Sequence, residues 1–289
     1  MRWRVPQDAR PGPAAHMLRE RFPALADPEA TALAARFAAG EIVDAQGRAW
    51  AATDPVGPGD ELWFHRELRE EEVPAAPLPI LFRDEHLLVI DKPHDVATMP
   101  RGAHILSSAL VRLRRQTGIA ELVPLHRLDR RTAGVLAFGI LPAERSAYQE
   151  LFARREVDKR YEALVRPGKD CTLPREAGER AVLEDRLIKE RGVLTAAVVP
   201  GTPNALTALD VLGPADGGAL RLALRPRTGR THQLRVQLSS RGAPIVGEDL
   251  YPVPPAEPDG PLRLLARTLA FNDPITGRAR EFHSAGTVR

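Results

Sequence analysis

Residues 122–140 read LVPLHRLDRRTAGVLAFGI, and the fold turns on how that stretch is divided. Apolar runs at 122–125 and 135–140 flank a charged knot, His126-Arg127-Leu128-Asp129-Arg130-Arg131-Thr132-Ala133-Gly134. A knot of this kind between apolar runs fits a turn at a sheet's edge better than a smooth helix face. An Asp flanked by three arginines is expected to stay ionised, because nearby cations favour the charged form. An ionised carboxylate can act as a nucleophile without a separate base. The same residues also describe a structural ion-pair cluster, or an Asp capping the following turn.

Working outward, HLLVIDKP (86–93) predicts a buried strand, preceded by a short one at Ile80–Phe82. LSSALVRLRRQ (106–116) places Leu106, Leu110 and Leu113 on one side of a helix. Its Arg112-Leu113-Arg114-Arg115 run offers phosphate contacts, or else a solvated helix face. A further helix is predicted over about 142–154, and DKRYEALVRP (158–167) alternates as a strand through Tyr161, Ala163 and Val165. Strand-like segments with Gly and Pro turns fill 180–226. RTGRTHQLRVQLSSRGAPIVGEDLY (227–251) reads as a loop, a helix over about Thr231–Arg241, and a turn; a last strand covers LRLLARTLAF (262–271). Strands outnumber helices and are often hairpin-spaced. The fold class is therefore α+β, a mixed, mostly antiparallel sheet with flanking helices.

At the N-terminus, residues 1 to about 16 are rich in Pro and Arg and read as irregular at their start. PEATALAARFAA (28–39) predicts a helix with Asp27 as N-cap, Pro28 in the first turn and Gly40 closing it. Strand-like stretches follow at Glu41–Val43 and Glu61–Phe64. Helix, GEIVDAQGRA (40–49) and PGDELWF (58–64) together resemble an S4-type RNA-binding module; a small helix and hairpin with no RNA role fits the residues as well. EEEVPAAPLP (70–79) reads as a linker. The domains are then a small N-terminal module, 1–76, and a main domain, 77–289.

Bulk composition narrows the class. Only four of the 41 basic residues are Lys, leaving 37 Arg, the residue better suited to bidentate phosphate contacts and base stacking. Most of these arginines read as codon bias, so the net charge of +3 permits RNA binding without demonstrating it. Cys171 is the one cysteine, which excludes an intramolecular disulfide and a cysteine-built zinc site. MRWRVPQDARPGPAAHM has no signal-peptide core and no apolar run is long enough to span a membrane, so a cytoplasmic setting is expected.

HRLDRRTAGVL (126–136) resembles the HRLD-x-x-T-S-G-L signature of the RluA-type pseudouridine synthases. Four more segments are similar to that family's, in its order: Asp91-Lys92-Pro93 (D-K-P), Lys159 to Ala163 (K-x-Y-x-A), Thr228 to Arg235 (TGRTHQ-[IL]-R) and Gly242 to Tyr251 (G-x-P-I-x-G-D-x-x-Y). The resemblance covers roughly residues 77 to 285. Five short motifs in order are highly specific where one would be weak. Three positions depart: Ala133 replaces a Ser, His94-Asp95 replaces a small residue and Gly, and Glu248 replaces an Asp.

The resemblance implies isomerisation of specific uridines in ribosomal or transfer RNA, with no cofactor, no metal and no membrane; a monomer is expected. It implies Asp129 as the carboxylate that acts at the sugar or at C6 of the base. It implies Tyr161 as the ring that stacks on a flipped base and helps remove the C5 proton, and Arg230 as the partner of Asp129. Arg235 is the alternative partner, or a phosphate contact. Arg127 is expected in the gap left by the extruded nucleotide and Leu234 beneath the uracil. His126 and Arg130 are grouped with the RNA-binding residues, and His232 and Gln233 with the braces of their loop. The rival readings are an inactive RNA-binding or ribosome-assembly protein on the same fold, and a hydrolase using Asp129 with His126 or His232.

Overall fold

Leu87 to Ile90 and Ala133 to Gly139 are buried at every position, which places both segments inside a sheet covered on two faces. The computed structural model describes residues 1–26, 30–65, 71–102, 104–257 and 259–288. Two units divide at Glu71 and Glu72.

In the first unit β1 (Arg2–Arg4) pairs with β4 (Glu61–Trp63), and β2 (Gly12–Pro13) with β3 (Pro55–Val56). With α1 (Ala14–Arg21) and α2 (Leu33–Ala38) they enclose Trp3, Leu18, Phe37, Ile42, Leu62 and Phe64. The N-terminal segment is thus ordered where an irregular one was expected, because Trp3 and Val5 are buried among those residues. Helix α2 is shorter than predicted; Asp27 and Pro28 lie outside the described residues. Gly40 turns the chain out of α2 at φ +69°, as expected. Around residue 43 the expected strand reduces to bridges from Val43 to Ala49 and Trp63.

In the second unit the strands are β5 (Ile80–Arg83), β6 (Leu87–Lys92), β7 (Val123–Pro124), β8 (Ala133–Gly139), β9 (Asp158–Val165), β10 (Arg180–Ile188), β11 (Ala197–Val199), β12 (Ala205–Pro214), β13 (Leu220–Pro226), β14 (Leu264–Asn272) and β15 (Ala279–His283). The helices are α3 (Ala109–Thr117), α4 (Arg145–Arg154) and α5 (Gln233–Ser239). The sheet runs β11-β10-β12-β13-β9-β14-β8-β6-β5, with β15 added to β14 and β7 to β8. Among the described residues only β8 and β14 pair in parallel. This is the α+β architecture expected. The unit begins earlier than residue 77 because the end of the expected linker is anchored to α3. Leu78 is buried and exchanges hydrogen bonds with the Gln116 side chain (2.9 and 3.1 Å), and Arg112 donates to the Ala76 carbonyl.

Alternating side-chain direction along β6 and β8 sorts the core into two layers. Leu88, Ile90, Leu136 and Phe138 pack with Leu110 and Leu113 of α3. Leu87, Val89, Val135 and Ala137 pack on the other face with Tyr148 and Leu151 of α4. Leu234 and Leu238 of α5 cover Ala163, Val165, Leu222 and Leu224. Tyr161 touches both the α3 and the α5 layers and so marks their junction. Arg112 corrects the phosphate-contact reading: it is 9% exposed and its guanidinium is spent on the linker carbonyl.

Below α4, Tyr148 donates to the buried Asp273 carboxylate at 3.0 Å. Asp273 also accepts from Ile275 N, Thr276 N and Arg280 Nε. Burial opposes its charge, but these donors outweigh burial and hold its carboxyl below the ordinary value. Stability from this group is therefore complete above the ordinary carboxylate range and is lost as pH falls through the native value. Tyr148→Phe is expected to cost about 2 kcal/mol, since a hydrogen bond to a buried charge is removed. An unchanged thermal midpoint would show that the hydroxyl is dispensable.

Candidate active site

Gly134 decides where the charged knot sits. Its φ is +113°, and an added Cβ would lie 2.2 Å from the Ala266 carbonyl oxygen and 2.7 Å from the Ala266 nitrogen. Only glycine lets β8 approach β14 this closely. In the pairing, Gly134 faces Ala266 on one side of β14, and Ala266 faces Tyr161 of β9 on the other. The strand that begins after Asp129 and the strand that carries Tyr161 are thus neighbours of one residue. The knot lies at the mouth of an interior strand, rather than at the sheet's edge.

The turn itself is held from the segment after β6. Thr98 Oγ1 donates to the Leu128 carbonyl (2.7 Å) and accepts from the Leu128 amide (3.1 Å). Lys92 Nζ donates to the carbonyls of Pro93 (2.9 Å), Val96 (2.8 Å) and Arg130 (3.1 Å). Burial pushes the Lys92 ammonium down to about 7, against the charges of Asp129 and Asp95. The amide of Thr132 donates to the Asp129 carbonyl at 3.0 Å and closes the turn.

Asp129 lines a cavity of about 570 Å³ together with Arg127, Leu128, Lys159, Tyr161, Arg230, His232, Leu234 and Arg235. Its side chain is 32% exposed. The flanking arginines do not pair with it among the described residues, contrary to the sequence reading. Arg130 pairs with Asp95 at 3.0 Å. Arg131 is buried, donates to the carbonyls of Gly247 (2.8 Å) and Gly260, and lies 3.5 Å from Asp249. Arg127 is exposed at the cavity.

Arg230 also lines the cavity, yet its Nε donates to the Asn204 carbonyl at 3.2 Å, and no ion pair joins it to Asp129 among the described residues. The reason is local: the turn that Gln233 Oε1 closes onto the Arg230 amide points this side chain toward the β12 end of the sheet. Arg235, one turn into α5, is 4% exposed and grips Glu248 through Nε (2.9 Å) and Nη2, with Asp249 at 2.5 Å. Burial works against its charge, but Glu248, Asp129 and Asp249 more than offset this and raise it. Arg235 thus lies within the electrostatic field of Asp129, while Arg230 makes no ion pair with it among the described residues.

Tyr161 has no hydrogen-bond partner among the described residues. Burial, and then the charge of Asp129, hold its phenol well above the ordinary range, so the ring stays protonated. Leu234 is buried on the cavity wall, as expected. His126 lines the cavity, but its Nε2 accepts from the Ala137 amide at 3.2 Å and its ring stacks on Phe152 at 5.1 Å. Burial, with Lys159 nearby, lowers it to about 3, so it is a neutral brace of β8 and carries no charge toward RNA.

The family model described as RNA pseudouridylate synthase matches residues 86–240. The chain belongs to the RluA-type RNA pseudouridine synthase family. It is 32% identical over 220 residues to the dual-specificity RNA pseudouridine synthase RluA of Haemophilus influenzae, covering 75% of this chain and 97% of that one. It is 31% identical over 218 residues to the RluA of Escherichia coli, covering 71% and 91%. Human RNA Pseudouridylate Synthase Domain Containing 1 superposes with a TM-score of 0.59 at 25% identity, covering 75% of this chain and 86% of that one. The chain is accordingly an isomerase of the pseudouridine synthase class.

The departures from the synthase motifs have structural explanations. Ala133 packs with Leu164, Leu265 and Val288 and does not line the cavity, so a hydroxyl there is not missed by the site. Asp95 stands where the synthases carry Gly and keeps the left-handed backbone at φ +60°, which Asp tolerates better than most residues. Its carboxylate takes Arg130, and His94 Nδ1 lies 2.8 Å from the Arg131 carbonyl, so both replacements clasp the Asp129 turn. Glu248 is buried against Arg235, filling the role of the shorter carboxylate.

One residue, Lys159, acquires a place the sequence reading did not give it, and a second, His232, comes closer to Asp129 than its main reading as a brace implied. Lys159, two residues before Tyr161, lines the cavity with its Nζ 3.5 Å from the Thr228 carbonyl, and burial lowers its ammonium. The i, i+2 spacing to Tyr161 on an alternating strand was the available signal. His232, read as a brace and, in the rival hydrolase reading, as a partner of Asp129, sits with Nε2 3.9 Å from Asp129 Oδ1. Among the described residues no group of three or more His, Cys, Asp or Glu is arranged to hold a metal, and no helix is long and apolar enough to cross a membrane.

Proposed function

We propose that this chain converts uridine to pseudouridine in ribosomal or transfer RNA, with Asp129 as the carboxylate that acts on an everted nucleoside and with no cofactor. The observation that carries the reading is the gathering of Asp129, Tyr161 and Arg235 on one cavity, with Tyr161 and the strand that follows the Asp129 turn both paired to Ala266. The reaction breaks the bond from C1′ to N1 and forms one from C1′ to C5. The proton lost at C5 is matched by one gained at N1, so the formula is unchanged and no redox partner is needed. Asp129 acts at C1′ or at C6, and both routes release the C5 proton.

Tyr161 supplies a flat face for the base, and Leu234 the apolar wall beside it. Burial and the charge of Asp129 hold the phenol protonated before substrate enters, and its hydroxyl is placed to help remove the C5 proton. Arg235 keeps positive charge beside the carboxylate. Arg127, exposed at the rim, stacks between the bases on either side of the extruded nucleotide.

The test is tritium release from RNA carrying 5-tritiated uridine, in the presence of a chelator. Release equal to the pseudouridine formed is the expected result. No release from total RNA of cells lacking the gene would sink the proposal. Mapping pseudouridines with and without the gene then names the target.

A further inference from the structure

The contacts behind His232 form a directed chain. His232 stands just before α5 at φ +53°, its ring edge-on to Tyr251 with centroids 5.8 Å apart. Tyr251 is buried, and its hydroxyl oxygen accepts from the Ala196 amide at 2.7 Å. The hydroxyl has one proton to place, and the acceptor beside it is His232 Nδ1 at 2.9 Å. A buried hydroxyl proton does not go unpaired without cost. Tyr251 therefore donates to Nδ1, which makes Nε2 the N–H nitrogen of the neutral ring. Burial lowers the imidazole, against the charge of Asp129, and so keeps it neutral. That Nε2 is the atom 3.9 Å from Asp129 Oδ1. About 1 Å of closure makes a hydrogen bond, and catalytic hydrogen bonds commonly tighten when substrate enters.

We propose that His232 is a positioning residue for Asp129: its Nε2–H, set by Tyr251, takes one carboxylate oxygen and turns the other toward the nucleoside. This rests on the reading of Asp129 as the carboxylate that acts on uridine. Each donor in the series from the Ala196 amide to Asp129 polarises the next, so the last bond is strengthened by those before it. The left-handed backbone of His232 carries its imidazole between Tyr251 and Asp129, and His is among the residues that adopt this conformation.

The test uses full-length protein and total RNA labelled with 5-tritiated uridine, from cells lacking the gene, under single turnover. His232→Gln places an amide nitrogen where Nε2 stands and can reach Asp129. His232→Asn keeps the contact to Tyr251 and tolerates the left-handed backbone, but falls short of Asp129. The proposal expects the Asn variant to lose about 10²-fold in single-turnover rate with RNA Kd unchanged, and the Gln variant to recover most of that loss. Tyr251→Phe, which leaves the ring and frees the tautomer, is expected to lose about ten-fold in rate without loss of RNA affinity. An Asn variant as fast as wild type would mean that His232 only braces its loop. Rate losses matched by weaker RNA binding or a lower melting temperature would overturn the proposal equally. If wild type itself releases no tritium, it is the functional reading that fails.

Discussion

Asp129→Asn is expected to lower tritium release by on the order of 10³-fold or more, with RNA affinity within about three-fold of wild type. Asn matches Asp in size and removes only the charge. The turn should survive the change, because its anchors are elsewhere: Thr98 on Leu128, Lys92 on Arg130 and the Thr132 amide on the Asp129 backbone. Among the described residues no group donates a hydrogen bond to the Asp129 carboxylate, so no native partner is orphaned. The variant thus separates chemistry from folding and from binding. Single-turnover release and filter binding measure the two quantities, and an active Asn variant would remove Asp129 from the mechanism.

Gly134→Ala is expected to produce the largest loss of stability. The new methyl would meet three backbone atoms of Ala266 at 2.2 to 2.8 Å, none of which can rotate away. The φ of +113° adds backbone strain for any residue with a Cβ. Overpacking and strain together amount to about 4 kcal/mol. For a unit of this size the midpoint should fall by roughly 10 °C. Tritium release should fall with it even below the new midpoint, since moving β8 from β14 moves Asp129 relative to Tyr161. A scanning calorimetry midpoint within about 3 °C of wild type would contradict the argument.

The α+β class and the central strands were legible because apolar runs such as LLVI and VLAFG leave no polar face to expose. The site was legible through its motifs, where Asp129, Tyr161 and Leu234 all reach one cavity. Pairing across it was not. Sequence proximity suggested that Arg127, Arg130 and Arg131 serve Asp129, but a turn splays neighbouring side chains, and two of these are taken by Asp95 and by loop carbonyls. The sequence reading gave Asp129 to Arg230 rather than Arg235, because only the start of α5 determines which way each of them turns. That start in turn depends on the left-handed His232, which also makes α5 shorter than its apolar spacing predicts.

Ala266 is a single residue of one strand, paired on one side with Gly134 of the strand that follows the Asp129 turn and on the other with Tyr161. A reactive pair hung from a common rung has little freedom to separate around a guest. Under the proposed mechanism the work of bringing the two partners to the reacting atoms then falls on the nucleic acid, which must bend and release its base to suit a fixed mould. Selection among uridines would follow how readily each local RNA structure gives way, and a target in a stiff helix would be passed over even with the right neighbours in sequence.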